Sequence, residues 1–114
     1  MFLRLALLLL LASPASAGDD YLIYLHGRIV EGSDGRPVHP EYGVYDHPAI
    51  VQAFENVGFT VLSEIRPADT DGLAYADRVA DQVDSLIALG IEPESISVVG
   101  MSKGGGIALA TSMK

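Results

Sequence analysis

Three short apolar runs, separated by longer stretches that each carry a helical pattern, constrain the fold of this chain more than any other feature. The runs are residues 21–25 (Tyr-Leu-Ile-Tyr-Leu), 59–65 and 96–99. Each has strand length, and the first is apolar without alternation, as expected of a strand buried on both faces. Between the first two runs, Ile50, Val51, Phe54 and Val57 share one helical face, with Asp46 placed to cap the helix and Gly58 to end it. Between the second and third, Tyr75, Val79, Val83, Leu86 and Ile87 do the same, and Gly90 closes the stretch. A third helix is expected to start near Gly105. The order is therefore β-α-β-α-β-α, and strand–helix–strand crossovers of this length favour a parallel sheet with helices on both faces. Residues 28–45 show no sustained period and are punctuated by Gly32, Gly35, Pro37, Pro40 and Gly43, so they read as one long loop. Such a loop either lines a site or is an insertion without a role.

Composition settles that there is a core to build. Hydrophobic residues make up 49% of the 114 and charged residues only 19%, which is the balance of a globular chain and not a disordered one. The first residues divide into a short segment with Arg4, an apolar run over residues 5–12, and Ser13-Pro14-Ala15-Ser16-Ala17. That run is too short to span a bilayer, and Ala15 and Ala17 are the small residues a signal peptidase accepts. Residues 1–17 are expected to be a signal peptide cleaved after Ala17, residues 18–114 the mature domain, and the location secreted or periplasmic. No membrane partner is expected after cleavage.

The formal charge is −8, and loss of Arg4 with the signal makes the chain more acidic still. An acidic surface repels phosphates, so nucleic acid is not an expected partner. There is no cysteine, hence neither a disulfide framework nor a lipoprotein attachment site. The three histidines and scattered acids show no paired spacing of the H-E-x-x-H kind, so no metal and no other cofactor is expected. Asp69, Asp71, Asp77, Asp81 and Asp84 read as solvated charge on loops or polar helix faces.

The chemistry is concentrated after the third run. Gly100-Met101-Ser102-Lys103-Gly104 fits the G-x-S-x-G nucleophile elbow, in which a serine on a tight strand-to-helix turn projects its hydroxyl above the sheet. Glycines on either side let backbone and helix approach where a β-carbon would clash. Five residues match by chance in many chains. The context is what carries the reading: an apolar strand enters the turn, and Ile107, Ala108, Leu109 and Ala110 leave it as a helix. The competing readings are a plain turn in which Ser102 caps the helix, and a phosphate-cradling loop. Lys103 is misplaced for the second.

Attack by a serine generates a tetrahedral oxyanion that needs two preorganised N–H donors. Lys103 N–H follows the nucleophile, and Arg28 N–H, in His26-Gly27-Arg28 directly after the first strand, is the expected second donor. Gly27 gives the backbone room there, and His26 reads as a loop-orienting or structural histidine. His39 and His47 are weaker candidates for a general base.

With these motifs in view, the chain resembles the α/β-hydrolase family over residues 21–114. Residues 21–27 look like the family's third strand and oxyanion loop, 59–65 like its fourth strand, and 96–102 like its fifth strand and elbow. Together, residues 24–28, Glu64-Ile65-Arg66-Pro67 and Met101-Ser102-Lys103-Gly104-Gly105 are similar to small bacterial hydrolases. The resemblance implies a partial three-layer α/β/α domain with strands in the spatial order second, first, third, and a serine hydrolase acting on a small ester or other acyl substrate. In the family, the acid and histidine of the triad follow the serine. Of the 12 residues after Ser102 none is Asp, Glu or His. The 114-residue chain is therefore expected to be a truncated hydrolase domain, inactive in isolation, with an open sheet edge prone to self-association. The alternatives are a non-catalytic fragment, or a module that binds an anion at the helix terminus without chemistry.

Overall fold

The computed structural model describes residues 20–114, so the expected signal at residues 1–17 lies outside the described residues. In chain order the elements are β1 (Tyr21–Leu25), a 3-10 turn (Arg28–Val30), β2 (Val38–His39), β3 (Gly43–Val44) and α1 (His47–Asn56). There follow β4 (Thr60–Leu62), α2 (Gly72–Ala88), a second 3-10 turn (Pro93–Ser95), β5 (Ile96–Gly100) and α3 (Lys103–Thr111).

Strand β1 is central because it alone is apolar at every position. It pairs in parallel with β4 on one side and β5 on the other, Tyr21 standing opposite both Thr60 and Ile96, and Leu25 opposite Gly100. The strand order β4-β1-β5 is the second-first-third order expected. Alternate β1 side chains serve the two faces. Ile23 and Leu25 pack with Tyr75, Ala76 and Val79 of α2 and Ile107 of α3. On the opposite face the Tyr24 ring lies 5.8 Å from that of Phe54 and 5.9 Å from that of His47, both on α1. Helices therefore cover both faces, and the fold is a partial three-layer α/β/α domain on a short parallel sheet.

Both long helices begin and end on identifiable local chemistry. The Asp46 carboxylate accepts from Ala49 N–H at 3.0 Å, and Pro48 occupies the first turn of α1. Asp71, read above as solvated charge, instead caps α2 by accepting from Leu73 N–H and Ala74 N–H at 3.0 and 3.2 Å. Gly58 and Gly90, at φ 110° and 97°, supply the left-handed residues that follow α1 and α2. Two residues assigned to apolar helix faces do not reach the core. Val57 is 74% exposed and Ile87 41%; Val57 follows the last residue of α1 and Ile87 is in the last turn of α2.

Two further expectations need correction. The second apolar run gives only three paired residues, and at Ser63 the contact with β1 passes to the side chain. The Ser63 hydroxyl donates to Tyr24 O at 2.7 Å, and Glu64 takes Arg78. The loop over 28–45 is also not structureless. It holds a 3-10 turn and a hairpin, Val38 pairing with Val44 and His39 with Gly43. Strands of two residues have no room to show a period, which is why the sequence pattern missed them.

Candidate active site

The turn between β5 and α3 has the geometry that G-x-S-x-G demands. Ser102 sits at φ 55°, ψ −118°, a strained conformation for a residue with a β-carbon. Its side chain makes no capping hydrogen bond to α3, although it occupies the position before the first helical residue. It is exposed at the surface of the turn. Both glycines are enforced by close approach. A β-carbon on Gly104 would stand 1.9 Å from Leu25 O, and one on Gly100 would stand 2.1 Å from Gly104 O. Strand β1, strand β5 and the first turn of α3 therefore meet backbone to backbone directly beneath Ser102.

The loop after β1 reaches the same point. A β-carbon on Gly27 would lie 3.8 Å from Ser102 Cβ and 3.6 Å from Met101 O. Arg28 opens the 3-10 turn, and its guanidinium swings out to Asp69 at 3.5 Å, both groups well exposed. Its backbone amide and that of Lys103 each stand at the start of a helical turn, where no intrahelical acceptor exists. Nδ1–H of His26 donates to Gly27 O at 2.6 Å, and its Nε2 accepts from Arg66 N–H at 3.0 Å. With 0% exposure and both ring nitrogens used, His26 is a neutral tie between the loop at 26–28 and the loop carrying Arg66. Burial is the largest influence holding its pKa below the usual histidine value, reinforced by the positive charge of Arg66.

The other two histidines are also committed. The Ser63 hydroxyl is spent on Tyr24 O, so His47 Nε2–H donates to Ser63 Oγ at 2.8 Å, and burial lowers the His47 pKa. His39 Nδ1 accepts from Glu41 N–H and Tyr42 N–H at 3.0 and 3.2 Å. In neutral His39 the proton is then on Nε2, which leaves no ring lone pair to receive a serine proton.

A pocket of about 410 Å³ opens beside Ser102. Its walls include Ile29, His39, Tyr42, Val44 and Met101, so the hairpin of β2 and β3 forms one side of it. Tyr42 stacks on His39 with ring centroids 4.7 Å apart. The space is mostly apolar and large enough for a small organic group.

Sequence reasoning missed one cluster altogether. The Glu31 carboxylate, 2% exposed, accepts from Arg66 Nε at 2.8 Å and pairs with Lys103 Nζ at 2.8 Å. Arg66 Nη2 donates onward to His26 O at 2.6 Å, and Lys103 Nζ to Thr70 O, also at 2.6 Å. The local pattern held only one signal, an Arg and a Glu in loops flanking a proposed site; their pairing spans 35 residues. Among the described residues no group of His, Cys, Asp and Glu is arranged to hold a metal, and no helix is long and apolar enough to cross a membrane.

No protein-family model matches the chain, and no solved structure matches it significantly. It is similar to a probable carboxylesterase of Oryza sativa subsp. japonica, 26% identical over an alignment that takes in 89% of this chain and 46% of the rice protein. The chain thus spans about half the length of that relative.

Proposed function

We propose that the protein is a serine hydrolase of the α/β-hydrolase type that cleaves carboxylic esters or related acyl compounds through Ser102. The observation that carries this reading is the strained backbone of Ser102, held between two glycines that no other residue could replace. Strain of this kind is unfavourable unless the surrounding structure enforces it, and a plain helix cap has no need of it. The absence of a capping bond from Ser102 weighs the same way. A carboxylesterase name on a similar protein agrees with it.

In the proposed reaction the Ser102 hydroxyl attacks the ester carbonyl, and the amides of Lys103 and Arg28 receive the oxyanion. An acyl-serine forms as the alcohol leaves, and water then releases the acid. The apolar part of the substrate sits against Ile29, Tyr42, Val44 and Met101. Among the described residues His26 and His39 each have their acceptor nitrogen already bonded to backbone N–H groups, and His47 is tied through Nε2 to Ser63. The reading also requires a histidine and an acid to complete the triad, which in the α/β-hydrolase order follow the serine. Residues 1–17 direct export, and the mature domain acts outside the cytoplasm.

The test is hydrolysis of short-chain p-nitrophenyl esters by the complete polypeptide and by its Ser102→Ala variant. Loss of turnover by about 10³-fold or more in the variant is the expected result. Equal rates in the two proteins would reject Ser102 as nucleophile, and retention of anion binding without turnover would favour the helix-terminus binding module.

A further inference from the structure

We infer that Glu31 is a positioning residue that holds the two oxyanion donors in register. The inference rests on the reading of Arg28 and Lys103 given above and adds to it the group that sets their spacing. Arg28 belongs to the loop after β1 and Lys103 to the start of α3; the last backbone hydrogen bond between these segments, Met101 N–H to Leu25 O at 3.1 Å, falls two residues short of Lys103 and three short of Arg28. Glu31 touches both donor-bearing residues. Its own N–H donates to Arg28 O at 2.9 Å, closing the 3-10 turn. Its carboxylate takes the ammonium of Lys103, Oε2 at 2.8 Å and Oε1 at 3.0 Å. A single residue therefore reaches both segments of the proposed oxyanion site, through its main chain to Arg28 and through its buried carboxylate to the Lys103 side chain.

The carboxylate is fixed from behind. Arg66 Nε binds the same Glu31 oxygen at 2.8 Å while its Nη2 holds His26 O, and Gly32 N–H donates to Arg66 O at 2.9 Å. The Arg66 side chain is 1% exposed, and its guanidinium carbon stands 5.6 Å from the centre of the Tyr75 ring. Lys103 Nζ is likewise held in place by Thr70 O. A carboxylate with two cations is an expensive thing to bury for stability alone, since well-packed apolar groups often serve as well. Its location across the two donors gives it a use that apolar packing lacks: short, directional bonds that fix distance. Because donors must meet the oxyanion within a few tenths of an ångström, loss of the clamp falls on the transition state more than on substrate binding.

The experiment uses the complete polypeptide, its Glu31→Gln and Glu31→Asp variants, and a fluorophosphonate to titrate reactive Ser102. Turnover of a p-nitrophenyl ester is expressed per titrated site, so that unfolded molecules do not count. Glu31→Gln is expected to lower kcat per site about 10- to 100-fold with KM within about threefold, and Glu31→Asp to recover part of the loss. If kcat per site in Glu31→Gln stays within about threefold of wild type, the clamp has no catalytic role and the inference is overturned. The same holds if the only change is in the number of titratable sites, which would make Glu31 a folding residue. Should Glu31→Gln not fold, Lys103→Met is read by the same criteria, because it cuts the link to α3 and leaves the Glu31–Arg66 pair intact. Failure of the wild-type protein to label would instead reject the Ser102 reading, a result distinguishable from either.

Discussion

At the scale of single residues, the glycines of the turn make the most direct predictions. A β-carbon at Gly104 collides with the Leu25 carbonyl, which is backbone and cannot swing aside. Gly104→Ala is expected to destabilise the fold by about 3 kcal/mol or more. Gly106 sits in the same helix with nothing within 4 Å of where its β-carbon would be. Gly106→Ala is expected to stabilise by about 0.5–1 kcal/mol, because it removes backbone freedom from the unfolded chain without a clash. Urea denaturation of the two variants against wild type checks both signs. The tight G-x-S-x-G turn and the abrupt end of β1 at His26-Gly27 were legible in sequence because their constraint is local: adjacent residues must turn within a few ångströms. Glu31 and Arg66 were not legible, because a charge in a loop reads as solvated until a partner 35 residues away is brought to it.

Histidine burial gives a pH prediction at the same scale. His26 and His47 both have pKa values held below the ordinary 6.5, each chiefly by burial. In the unfolded chain they take up protons near pH 6.5 that the folded protein refuses, so stability is full above that pH and declines as pH falls below it. Urea midpoints should be lower at pH 5.5 than at pH 7.5, and Gln at either position should flatten the difference at some cost in overall stability. Glu31 works in a lower window. Burial alone would raise its pKa, but the hydrogen bonds and charge of Lys103 and Arg66 overcome that and hold it below the usual 4.5. Its contribution is present above pH 4.5 and is lost as acidification proceeds through its own depressed pKa.

At the scale of elements, the helices depend on their caps. The Asp71 carboxylate serves two N–H groups at the start of α2, the helix that contributes Tyr75, Ala76 and Val79 to the core. Asp71→Ala is expected to cost about 1 kcal/mol, measured as a shift in the urea midpoint, whereas Asp81→Ala, on an exposed and uncapped position, should be near neutral. The order of strands and helices could be read from sequence because apolar runs of strand length and a period of 3.6 persist over enough residues to be seen. The hairpin at 38–44 could not, and neither could the early end of β4, after which Ser63 reaches β1 through its hydroxyl and Glu64 pairs with Arg78. That hairpin forms a wall of the pocket beside Ser102, so the part of the site most hidden in the sequence is the part that shapes the proposed substrate space.

At the scale of the whole molecule, β1 is paired on both sides while the outer edge of β5 has no partner strand among the described residues. Val99 in β5 and Met101 directly after it are exposed. A polypeptide of residues 18–114 alone is expected to associate at high concentration, visible as a rise in sedimentation coefficient with loading, and Val99→Lys should reduce it. The account as a whole turns on one claim, that the enforced strain at Ser102 exists to present a nucleophile. Its most direct test is to treat the complete polypeptide with a serine-directed fluorophosphonate, digest it, and locate the adduct by mass spectrometry. The account predicts a single adduct on Ser102, absent from Ser102→Ala and from heat-denatured protein; a folded polypeptide that carries no adduct, or one that labels equally at other serines, would contradict it.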